Sequence, residues 1–262
     1  MKKSKSIKYA IQDFQDLYDS AMSITLYEYI NASLFHDENE YDEGIKSLQN
    51  QIKYFEKNNK VYNFLVVHIV AVMENYLENI LNEFNDKDRE VSINLTKNYK
   101  YDYKITNNDI IGGPQQFAKK IINSVIFHNL KKVNILFKTA LNLDILNIDG
   151  IDIKFIFSLI ELRHGVVHQS SRVKDKHVIV RQLSFLKFLS ITNKWLLNID
   201  CLLMNGRLRE RIPNLTNKFY DEAMSKIEND VLHPGLQKVI KENSRDIFNF
   251  DEKSNVKSSI IL

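Results

Sequence analysis

Residues 161–169 read Glu-Leu-Arg-His-Gly-Val-Val-His-Gln, so ionisable groups and an amide crowd the end of an otherwise apolar stretch. Two of these residue types suit phosphodiester chemistry. A histidine with an ordinary pKa near 6.5 takes or gives a proton at neutral pH. An arginine stays charged, and its planar fork matches a phosphate. Together they suit RNA cleavage. His168 would deprotonate a ribose 2′-hydroxyl or protonate the leaving 5′-oxygen, and Arg163 would hold the phosphate as negative charge builds in the transition state. That chemistry needs no metal and no other cofactor. At about 100° per residue, Glu161, His164 and His168 share one helix face, and Arg163 lies roughly 140° from His168. Arg163 and His168 therefore converge on one ligand only if the helix is distorted or a second copy completes the site. Gly165 favours the second copy, because a missing side chain admits another backbone.

Other readings compete for the same residues. Glu161 and Arg163 also fit a surface ion pair, which contributes little. His168 also fits a core histidine bonded to a carbonyl. His164 and His168, four apart, have the spacing of a zinc pair, but the glutamate of that motif belongs at 165, where glycine stands. A second Arg-x4-His match, Arg172 and His177, lies in the charged run SSRVKDKH, from where it could touch RNA phosphates at a rim. Lys97, Lys100 and Lys104 interleave with Tyr99, Tyr101 and Tyr103, a pattern suited to single-stranded RNA or to a partly ordered loop. Arg207, Arg209, Arg211 and Lys218 read as a solvated helix face. Glu74 and His68, inside an apolar run, read as polar core residues with partners, and Glu74 is also a candidate member of the site.

Composition removes whole classes. The chain has 262 residues, with 36 basic against 33 acidic and a net charge of +3, too small to establish a nucleic-acid partner alone. Seven glycines and three prolines are few for a sandwich or barrel. The single cysteine, Cys201, excludes a disulfide framework within the chain, reads as a buried thiol on an apolar stripe, and fits a reducing cytoplasm. No Gly-rich phosphate loop, dinucleotide fingerprint, nucleophile elbow or kinase signature occurs. Asp13, Asp16 and Asp19 interrupt any apolar leader, and the most apolar stretch, residues 64–73, is half the length of a bilayer span. Neither secretion nor a membrane is expected.

The elements that must position the motif are helical. Spacings of three and four predict helices over 8–35, 45–58, 61–84, 115–139, 153–168 and 181–204. Residues 61–84 are apolar nearly all round at the start, as expected of a central buried helix. Residues 36–44 read as a loop, and 140–152 and 169–180 as connections. Residues 85–116 read as a long polar insertion with strand pieces near Val91–Leu95. The expected architecture is an all-α bundle over 1–205, followed by a partly flexible extension over 206–262.

Arg163-x4-His168, with a polar residue after the arginine and Val167 before the histidine, resembles the signature of HEPN domains. These are all-α domains of prokaryotic toxins, abortive-infection proteins and other RNA-cutting effectors. The family often has Asn after the arginine, where this chain has His164, and a polar residue after the histidine, here Gln169. Its small-toxin subgroup carries Tyr at the place of Ser170, so that subgroup is not assigned. Helix 61–84, with Glu74 and Asn75 in an apolar run, is similar to the family's central helix. The resemblance spans about residues 8–204. It implies a metal-independent endoribonuclease of toxin–antitoxin or antiphage defence, acting as a homodimer with two facing motifs and under an antitoxin or regulatory partner. It assigns catalysis to Arg163 and His168, with Glu161, His164, Gln169 and Glu74 in support. The alternative is a non-catalytic all-α module that binds RNA or a nucleotide.

Overall fold

The computed structural model describes residues 2–34, 61–98, 111–168, 172–173, 176–180 and 182–208. Among the described residues the regular elements are helices, apart from one short ladder. The helices are α1 (Lys5–Leu34), α2 (Val61–Lys87), α3 (Arg89–Asn98), α4 (Gly113–Ser124), α5 (Leu130–Leu141), α6 (Ile153–His168) and α7 (Gln182–Asn205). Between α6 and α7, β1 (Arg172–Val173) pairs antiparallel with β2 (Lys176–His177). The expected all-α class holds. The expected helix 45–58, the loop 36–44 and the extension beyond 208 lie outside the described residues.

The chain divides into two compact units, and the division cuts through α1, α2, α6 and α7. The described part of unit 1 comprises residues 2–14, 69–98, 111–160 and 191–208. Its core is built on Ile69, Met73, Tyr76, Leu77 and Ile80 of α2, with Phe137 of α5 and Trp195 of α7, all essentially without exposure. Such burial contributes about 1.5–3 kcal/mol for each large side chain. Trp195 Nε1 donates to the Ile145 carbonyl at 2.8 Å, so the ring satisfies its one polar atom.

The start of α1 is held by carboxylates. Ser4 Oγ accepts from the Ile7 amide at 3.1 Å, an N-terminal cap. Asp200 of α7 accepts from the Ser4 amide at 3.3 Å, and Glu83 of α2 accepts from the Ser6 amide at 2.6 Å and from the Ser6 hydroxyl. These oxygens satisfy free N–H groups at the positive end of the helix dipole.

Unit 1 corrects two sequence expectations. Val91–Leu95 is not strand but part of α3. Val91 and Ile93 favour a strand locally, yet Asp88 Oδ1 accepts from the Glu90 amide at 2.8 Å to open a helix. Val91 and Leu95, four apart, are both buried, and α3 packs against α4 and α5. The polar stretch is also structured by its own polarity. Buried Asn85 donates to the Gln115 carbonyl at 3.2 Å and accepts from Ser92 Oγ at 2.9 Å, while Gln115 Nε2 donates to the Asn85 carbonyl at 3.2 Å. The single helix expected over 115–139 is instead α4 and α5. Val125 turns extended (φ −92°, ψ 134°), and the Asn129 side chain accepts from the Lys132 amide to start α5. Gly113, at φ +72°, opens α4 in a conformation that favours glycine.

The described part of unit 2 comprises residues 15–34, 61–68, 161–168, 172–173, 176–180 and 182–190. Tyr62 and Phe185 meet with ring centroids 5.7 Å apart. The fully buried Asn63 donates from Nδ2 to the Val178 carbonyl at 2.9 Å and accepts at Oδ1 from the Val180 amide at 2.7 Å. The start of α2 is not buried all round, as expected from its composition: Phe64 is 63% exposed, and His68 lies exposed one turn further on.

Two stability measurements test this account. Asn63→Ala strands a buried carbonyl and a buried amide, and should lower urea stability by about 2–4 kcal/mol, whereas Phe64→Ala next to it should cost under about 0.5 kcal/mol. Burial pushes the Glu83 carboxyl up, but hydrogen bonds from Ser6, Lys87 and Lys5 outweigh it and hold the group below its ordinary value. A carboxylate lowered on folding stabilises above its unfolded pKa and loses that contribution as pH falls through the folded value. The urea midpoint of the wild type should therefore exceed that of Glu83→Gln near pH 6, and the gap should shrink towards about pH 3.

Candidate functional site

Asp152 opens α6 by accepting from the Lys154 amide at 3.0 Å. The helix then runs without interruption to His168. Its last two turns lie in unit 2 and carry the motif. Glu161, His164 and His168 are exposed, as the helical spacing predicts, and Val167 beside them is 46% exposed. The His164 and His168 rings stand 4.8 Å apart between centroids, tilted by 49°. Leu162 is buried and anchors the opposite side. Arg163 is half-buried at the edge of the exposed face and makes no ion pair among the described residues.

Because α6 stays regular through His168, Arg163 and His168 leave it roughly 140° apart. One of the two routes to convergence, a distorted helix, is thereby removed. Gly165 is buried within the chain.

The other expected site residues fall on other elements or outside the described residues. Glu74 belongs to unit 1, and its partner is His128, whose Nδ1 lies 2.5 Å from Glu74 Oε1. Sequence reading missed His128, which is 54 residues away, follows a buried Phe127 in a turn, and matches no motif. Arg172 and His177 are opposite partners in the β1–β2 ladder, not positions on a helix. Lys97 is exposed at the end of α3, and Arg207 is exposed after α7. Gln169, Lys100, Lys104, Arg209, Arg211 and Lys218 lie outside the described residues, as do the side chains of Arg172 and His177. Cys201 is buried, in keeping with a thiol that packs. Among the described residues, no three His, Cys, Asp or Glu side chains come together as a metal-holding group.

The arrangement offers two exposed imidazoles at the end of a helix, with a guanidinium half-buried one edge away. Proton transfer and phosphate binding are within its chemistry. Comparison of the chain with family models, curated proteins and solved structures gave no match.

Proposed function

We propose that this protein is a metal-independent endoribonuclease of HEPN type, in which His168 moves the proton and Arg163 binds the scissile phosphate. The observation that carries this reading is the end of α6. It presents His168 and His164 to solvent with their rings adjacent, and keeps Arg163 close by without an ion pair among the described residues. His168 would accept the 2′-hydroxyl proton, or donate to the departing 5′-oxygen, and the product would be a 2′,3′-cyclic phosphate. His164, Glu161 and Gln169 would add polar contacts.

The divergence of Arg163 and His168 on a regular helix supports a homodimer that pairs the arginine of one copy with the histidine of the other. We place the protein in the cytoplasm, in toxin–antitoxin or antiphage defence, with RNA as substrate and an antitoxin or regulatory protein as a further partner. α2 is long and apolar enough to cross a bilayer, but half of that window is buried and α2 carries the doubly bonded Asn63, which supports a core helix rather than a membrane span.

Purified protein incubated with total RNA in EDTA should cut it. Arg163→Ala and His168→Ala should each lose about 10²- to 10⁴-fold in rate while keeping the wild-type melting temperature. An equimolar mixture of the two variants should recover cleavage if copies share the site, and recover none if each chain works alone. Cleavage by both variants at the wild-type rate would refute the assignment. RNA affinity without cleavage under any condition would favour the non-catalytic binding module.

A further inference from the structure

The two imidazoles at the end of α6 are placed as a chelating pair. His164 and His168 stand one turn apart on a helix that stays regular through both, so one face carries both rings. Their centroids are 4.8 Å apart. A divalent metal binds an imidazole nitrogen at about 2.0–2.1 Å, which sets it about 3.2 Å from the ring centroid. Two rings on one such ion then have centroids about 4.5 Å apart in a right-angled geometry and about 5.2 Å apart in a tetrahedral one. The observed separation falls between the two, so the rings can share an ion by turning in place.

Both rings are exposed, so an ion reaches them from solvent. Among the described residues neither ring has a hydrogen bond or an ion pair that would have to break first. The helix ends at His168, where the carbonyls of the last turn carry partial negative charge that favours a cation. Glu161 on the same face adds a negative charge, and Arg163 at its edge offsets it. Gly165 stands where the zinc-peptidase motif carries its general base, which removes the hydrolytic step of that motif and leaves its two nitrogen ligands in place. Among the described residues no third His, Cys, Asp or Glu side chain joins the pair to form a metal-holding group. The chain thus supplies two nitrogens, and water or the oxygens of a bound anion supply the other ligands. A closed site of four side chains retains its metal as part of the fold, whereas a pair open to water exchanges it with solution.

We infer that His164 and His168 form an exchangeable two-nitrogen site for a divalent ion of the zinc, nickel and copper class, which imidazole suits. The site itself rests on the ring geometry. Its consequence rests on the function proposed above. An ion that takes the nitrogen lone pair of His168 leaves that ring unable to accept a proton, so the ion acts as a reversible inhibitor of cleavage.

The experiment titrates Zn²⁺ into the full chain, prepared without a polyhistidine tag, and follows binding by calorimetry. The same titration is run on His164→Gln, His168→Gln, the double variant and His68→Gln. The wild type should show one dominant site per chain. Either single variant at 164 or 168 should bind at least about tenfold more weakly, because the second nitrogen acts from within the same molecule. The double variant should lose little more than either one, since the two rings act as a unit. His68→Gln removes another exposed imidazole, from α2, and should bind as the wild type does. Ni²⁺ should bind the pair and Mg²⁺ should not. All three positions are exposed, so the variants should keep the wild-type melting temperature. Wild-type affinity in both single variants, or an equal loss in His68→Gln, would overturn the site. Saturating Zn²⁺ should stop RNA cleavage by the wild type, and excess EDTA should restore it; cleavage that continues with the site filled would overturn the inhibition. If Zn²⁺ binds as described but RNA is never cut, the nuclease reading fails and the metal site stands. If RNA is cut in EDTA but Zn²⁺ does not bind, the metal site fails and the nuclease reading stands.

Discussion

Packing this much apolar helix leaves backbone groups of the connecting segments cut off from water, and buried side-chain amides supply their partners. Asn63 binds the carbonyl of Val178 and the amide of Val180 from within α2. In the α5–α6 connection Asn134 accepts from the Ile145 amide at 2.9 Å and donates to the Asp144 carboxylate. Asn85 ties α2 to Ser92 of α3 and to Gln115 of α4. An unmade buried hydrogen bond costs about as much as burying a methyl-rich side chain gains. The core and these amides are therefore one construction, because the apolar helices cannot close without them.

The same logic explains how a chain with so few glycines and prolines ends its helices. Ser4, Asp88, Asn129 and Asp152 each satisfy a free amide at a helix start, and Asn142, in the left-handed conformation, closes α5. At α1, two carboxylates from other helices bind the free amides of Ser4 and Ser6. Glu83 gains enough from them to stay ionised more readily than usual. Burial and the proximity of Glu83 push Asp200 the other way, against the hydrogen bonds from Ser4. One helix end thus holds two carboxylates with opposite responses to their surroundings.

The candidate site lies outside this construction. Asn63 is fully buried and bonds backbone on both sides, whereas the imidazoles of His164 and His168 stand exposed where α6 ends. A group that must exchange protons with a substrate gains from exposure, and a group that must complete a core gains from being fully bonded. The contrast between Asn63 and His168, both in unit 2, follows from that division.

The sequence by itself determined the helices that rest on long apolar stripes. α2, α6 and α7 were legible because a period of 3.6 repeats over several turns. The shared face of Glu161, His164 and His168 followed from the same period. Tertiary structure decided what local pattern could not. Val91 and Leu95 became helical because α4 and α5 cover them, and one apolar run was split at Val125 and capped by Asn129. Glu74 found its partner in His128, 54 residues away. Each of these depends on a contact between distant parts of the chain, and a contact of that kind leaves no periodic trace in the sequence.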